Sequence, residues 1–141
     1  MPDAVPEKLP ALSNEMIAAV LEAREFAYRI DDDGDIYGNW ENNLIYFFRL
    51  GQFREMLQVR AVAQRAFTTD DLPRLYAFCN TWNRDRLFPK AYVHVADDHS
   101  VRVVGEVVAD WEKGVTAVQL DQVMICGIAT GCQLAAEAEQ L

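Results

Sequence analysis

The sequence predicts an α+β domain, an antiparallel sheet flanked by helices in the order α-β-β-β(-β)-α-β-β-α. Three observations predict it. Apolar residues keep helical spacing near the start, in the middle and at the end of the chain. Between those stretches, residues 36–63 and 91–110 alternate apolar and polar side chains with the period of a strand. Acid-glycine, glycine and asparagine turns break the alternating blocks into hairpins.

Taken in order, residues 1–12 carry Pro2, Pro6 and Pro10 and read as a flexible arm without fixed structure, with the folded domain spanning 13–141. Ser13 or Asn14 can cap a first helix whose apolar face holds Ile17, Val20, Leu21 and Phe26. Tyr28 and Ile30 then alternate with Arg29 and Asp31, as in a short strand. The acidic run Asp31-Asp32-Asp33-Gly34-Asp35 has a superficial likeness to a calcium loop. An EF-hand would need Gly at 36 and Glu at 42, where this chain has Ile36 and Asn42, so a hairpin turn is the expectation and no metal is.

Ile36 to Trp40 and Leu44 to Leu50 form the next strands, joined at Glu41-Asn42-Asn43. In the second of these, Tyr46 and Phe48 point one way and Ile45 and Phe47 the other, so both faces are expected to be partly covered. Met56 to Ala63 sets Leu57, Val59 and Ala61 against Gln58 and Arg60. Thr68-Thr69-Asp70-Asp71 opens a middle helix with acids at its positive end and Pro73 in its first turn. A second hairpin covers Ala91 to Val95 and Val101 to Asp110. Thr116 and Gln119 make a capping box for the last helix. That helix has no charge between Gln122 and Glu137, so more than one of its faces must be covered. Met124, Gly127, Gly131 and Leu134 lie on one stripe, a candidate seam of a homodimer, with burial inside one chain as the competing reading.

A chain of 141 residues with 51% hydrophobic residues buries a core of ordinary size. The formal charge of -9 repels nucleic-acid phosphates and anionic membranes, so neither is an expected partner. No signal sequence and no apolar run long enough to span a bilayer stands out. The three cysteines read as reduced thiols of a cytoplasmic protein.

The chain turns from helix to strand at Asn80-Thr81-Trp82-Asn83-Arg84-Asp85-Arg86-Leu87-Phe88-Pro89-Lys90-Ala91-Tyr92. Pro89 cannot continue the helix, which is expected to end near Arg86. In a structural reading, Asn80 and Asn83 satisfy backbone groups, an arginine pairs with nearby acids and Trp82 is core. In a functional reading, Arg84, Arg86 and Lys90 crown a groove with Trp40 and Tyr92, ready for an acidic peptide or a small anion.

This corner, together with Asp32-Asp33-Gly34-Asp35, Leu57-Gln58-Val59-Arg60 and Gly114-Val115-Thr116, resembles the YbjN family of bacterial sensory transduction regulators, in its actinobacterial form. The likeness runs from about residue 13 to residue 135. It implies a fold similar to type III secretion chaperones, which commonly form dimers and bind extended segments of other proteins. It transfers no catalytic residue. The strand at Tyr28 to Asp31 departs from the simplest chaperone order.

Searching for chemistry gives little. The serines Ser13 and Ser100 sit in no nucleophile elbow, Cys79 lies on the apolar side of its helix, and His94 and His99 have no zinc spacing. No glycine-rich phosphate loop is present. The expectation is a non-enzymatic binding module without a cofactor that holds an unidentified protein or peptide. The alternative is a small-anion or nucleotide sensor built on Arg84, Arg86 and Lys90.

Overall fold

The computed structural model describes residues 8–141. The order of elements is α1 (Asn14–Ala23), β1 (Arg29–Ile30), β2 (Ile36–Trp40), β3 (Asn43–Leu50), β4 (Met56–Val62), α2 (Leu72–Asp85), β5 (Lys90–Val95), β6 (Val101–Asp110) and α3 (Ala117–Glu139). The strands form one antiparallel sheet in the order β1-β2-β3-β4-β6-β5. This is the α+β architecture the alternation and helical spacing predict, with the short first strand present.

Local chemistry sets the ends of these elements. The Ser13 hydroxyl accepts from Met16 N at 3.2 Å and caps α1, leaving the Asn14 amide to donate to Gly34 O at 3.0 Å. Asp31 organises the β1–β2 turn: one carboxylate oxygen accepts from Asp33 N and Asp35 N, and Gly34 takes the positive φ of 86° that the turn requires. Thr116 and Gln119 form the reciprocal capping box of α3, at 3.0 and 3.1 Å. Of the expected flexible arm, residues 1–7 lie outside the described residues. Pro10 and Leu12 are held: the Pro10 carbonyl accepts from Val115 N at 2.9 Å and Leu12 is buried.

All three helices cover the same face of the sheet. Its buried residues run in register across the strands, Ile36-Phe47-Val59-Val107 in one row and Ile45-Ala61-Gly105-Ala91 in the next. Helix α1 packs on the β2–β3 end with Ile17, Val20 and Leu21, and α2 packs on the β5–β6 end with Leu75, Cys79 and Trp82. Helix α3 spans both clusters, Leu120 and Met124 in one and Leu134 and Ala138 in the other.

The expected dimer seam is corrected by this packing. A Cβ at Gly127 would stand 2.5 Å from Val59 Cγ1, and one at Gly131 would stand 2.6 Å from Ala61 Cβ. Met124 and Leu134 are buried in the same interface. The small-residue stripe exists so that the helix can approach the chain's own β4, and it offers nothing to a second subunit.

Candidate functional site

The corner divides into parts that hold the fold and parts that face elsewhere. Trp82 is buried and its indole N–H donates to Pro89 O at 3.0 Å. The Asn83 amide donates to Ala91 O at 3.0 Å and accepts from Ala91 N at 2.9 Å. Arg86 lies 4.1 Å above the Trp82 ring and pairs with Glu137 of α3 at 2.8 Å. Arg84 pairs with its neighbour Asp85 at 2.8 Å, and Asn80 is exposed. The peptide bond between Phe88 and Pro89 is cis.

The groove expected from Arg84, Arg86, Lys90, Trp40 and Tyr92 does not form. Each cation has its own carboxylate, Asp85, Glu137 and Glu106, on three different elements. Trp40 packs edge-on against Phe26 and Phe47 beneath the helices. Four strand spacings, roughly 19 Å, separate β2 from β5, and Tyr92 points to the opposite face. Of the five, only Lys90 and Tyr92 come together.

What the structure brings together instead is the face of the sheet that none of the described helices covers. One row crosses all six strands in register: Arg29, Tyr37, Tyr46, Arg60, Glu106 and Lys90. Tyr37 stacks on Tyr46 with ring centroids 5.1 Å apart, and Tyr46 stacks on Phe48 at 4.7 Å. Lys90 reaches Glu106 at 2.6 Å and lies 5.5 Å from the Tyr92 ring. Gln58 also donates to Glu106. The Glu106 partner raises the Lys90 pKa, so the lysine keeps its charge. Burial raises the Tyr92 phenol against the opposing pull of Arg60, and raises that of Tyr46 with help from Asp31. Both phenols are therefore neutral at physiological pH.

Arg60 has a feature the sequence does not show: its Nε is buried and finds no hydrogen-bond acceptor among the described residues. Beside this row, Leu87, Phe88 and Val108 are exposed and border a surface cavity of about 300 Å³ together with Lys90 and Glu106. Of the expected site residues, only Lys90 and Tyr92 belong to this face. Tyr37, Tyr46, Phe48, Arg60 and Glu106 are found only once strands are paired. Their alternation with core residues was the available signal.

Among the described residues, no nucleophile, base and oxyanion donor converge. Burial pushes the Cys79 thiol up to about 11, and Cys132 is also raised by burial and by Glu41. His94 is on the open face near the end of β5, and His99 is in the β5–β6 turn with a φ of 67°. No helix among the described residues is long and apolar enough to cross a membrane.

Residues 13–140 match the YbjN family, described as "Putative bacterial sensory transduction regulator". The chain belongs to the YbjN family. No curated protein matches it. Its fold is similar to the crystal structure of E. coli YbjN, described as "a putative transcription regulator", with a TM-score of 0.75 at 17% identity over 94% of this chain and 97% of that one. The YbjN match includes the whole sheet and the corner.

Proposed function

We propose that this YbjN-family protein is a non-enzymatic, cytoplasmic regulatory module that holds a protein segment in a chaperone-like way against the helix-free face of its sheet. The observation that carries this reading is the stacked series Tyr37, Tyr46 and Phe48, half-buried on a face that the chain's own helices leave open. Aromatic side chains with one polar tip supply contact area at low entropic cost, as protein-binding surfaces require. The free thiols, all three of them, fit a reducing compartment. The anion-sensor alternative loses its support because Arg84, Arg86 and Lys90 are paired separately.

Affinity capture from native lysate tests the reading, with the wild type beside Tyr46→Ala/Phe48→Ala and an off-face Arg84→Glu control, each first shown to be folded by circular dichroism. Proteins recovered with wild type and the control, and lost with the open-face variant, are the expected result. Recovery that depends on Arg84 and ignores Tyr46 and Phe48 would overturn it.

A further inference from the structure

We propose that the free half of the β6 edge, residues 107–110, takes up an extended segment of another protein as an added strand. This goes beyond the open-face reading. It concerns a second surface, recognised by backbone hydrogen bonds rather than by aromatic side chains.

The ladder fixes which way each β6 residue points. At one end of the β4–β6 pairing Ala63 N–H donates to Val103 O at 2.9 Å, and at the other Trp111 N–H donates to Glu55 O at 3.1 Å. The register between them is unbroken, so the odd-numbered residues of β6 bond to β4. The even-numbered residues face the β5 side, as Ser100 does where its carbonyl accepts from Ala96 N at 2.9 Å. Strand β5 meets only part of that side. Its first residue, Lys90, lies opposite Glu106, and before it the chain comes up from α2 through the cis Phe88-Pro89 bond. The backbone N–H and C=O of Val108 and Asp110 are left without a partner among the described residues. On β5, by contrast, the outward backbone groups of Ala91 are closed by Asn83.

The space beside Val108 is where two more residues of β5 would lie. There the structure has the cavity of about 300 Å³, bordered by Leu87, Phe88 and Lys90 on one side and by Glu106, Val107 and Val108 on the other. Its apolar walls are open to solvent, with Leu87 90%, Phe88 49% and Val108 46% exposed. Free backbone donors and acceptors at strand spacing, flanked by apolar side chains, select an extended segment, and net charge does not enter the selection. Lys90 stops the slot at one end and Trp111 leaves it at the other, so the added strand pairs over about four residues. The residue opposite Val108 sets its side chain beside the valine, in the row of Phe48 and Gln58, and is apolar for that reason.

Fluorescence anisotropy with a labelled, end-capped Thr-Val-Thr-Val-Thr peptide tests this. The probe is uncharged, so the chain's charge of -9 neither draws nor repels it. Two further probes carry backbone N-methyl groups, one on its valines and the other on its threonines, and each keeps only one hydrogen-bonding edge. Saturable binding of the parent and of one methylated form is expected, with the other form about tenfold weaker. Val108→Pro removes an N–H that the fold does not use and should weaken the parent peptide about tenfold, while Arg24→Ala, at the α1 end of the sheet, should not. The methylated pair keeps the test valid if Val108→Pro unfolds the sheet. No binding of the parent, equal binding of the two methylated forms, loss of both, or indifference of a folded Val108→Pro variant would each overturn the proposal. A dimeric mass in light scattering that Val108→Pro splits would assign the edge to a second copy and overturn it as well. None of these outcomes passes through Tyr37, Tyr46 or Phe48, so the open-face reading stands or falls on its own capture experiment.

Discussion

The Asn83 side chain forms with the Ala91 backbone the two hydrogen bonds that a neighbouring strand would form, donating to its C=O at 3.0 Å and accepting from its N–H at 2.9 Å. Ala91 lies on β5, the edge of the sheet, with its backbone groups turned away from β6. One amide side chain thus closes part of an edge that would otherwise offer itself to another chain, and fixes the end of α2 to the strand that follows.

Asn83→Ala leaves both groups of a buried residue without partners and is expected to cost about 1–3 kcal/mol of stability. Asn80→Ala, on the exposed side of the same helix, should stay within about 0.5 kcal/mol. Urea denaturation of the two variants measures the difference, and equal stabilities would remove Asn83 from this role.

Gly127→Ala tests the packing of α3. The new Cβ would lie 2.5 Å from Val59 Cγ1, and Val59 is a stiff, fully packed side chain. Overpacking of about 1–3 kcal/mol is expected to exceed the roughly 1 kcal/mol of helix propensity that alanine adds. The melting temperature should fall whatever the oligomeric state. A rise would mean that α3 does not approach β4 this closely.

Two arginines of the corner should behave differently. Arg86 packs on Trp82 and joins α2 to α3 through Glu137, so Arg86→Ala is expected to cost about 1 kcal/mol. Among the described residues Arg84 pairs only with the adjacent, solvated Asp85, and Arg84→Ala should produce no measurable change in a denaturation midpoint. Equal effects would contradict the separate environments of the two side chains.

The Cys79 thiol is held neutral by burial, its pKa pushed up to about 11. Iodoacetamide near neutral pH should modify half-buried Cys126 before Cys79 in the folded protein, read by peptide mass spectrometry. Between the unfolded thiol pKa of about 8.5 and the folded value of about 11, the unfolded chain loses this proton while the native chain keeps it. Stability contributed by Cys79 is therefore full below the lower value and declines as pH rises through that window. Cys79→Ala should flatten that decline, and an unchanged alkaline slope would exclude the thiol as its source.

The sequence by itself determined what depends on near neighbours along the chain. Thr116 and Gln119 cap α3 because three residues of spacing bring each side chain to the other's backbone, and Asp31 and Gly34 make a turn for equally local reasons. Alternation in β3 and β4 fixed which side chains share a face, because the strand period is two. Only the tertiary structure decided that β6 returns between β4 and β5, and so which residues form the row from Arg29 to Lys90. The same holds for Gly127 and Gly131, whose spacing read equally well as a subunit seam or an internal contact until Val59 and Ala61 proved to fill it. The reason is physical: a local period defines faces and caps, whereas the pairing of distant strands sets which faces meet, and a row across six strands is written at no single place in the chain.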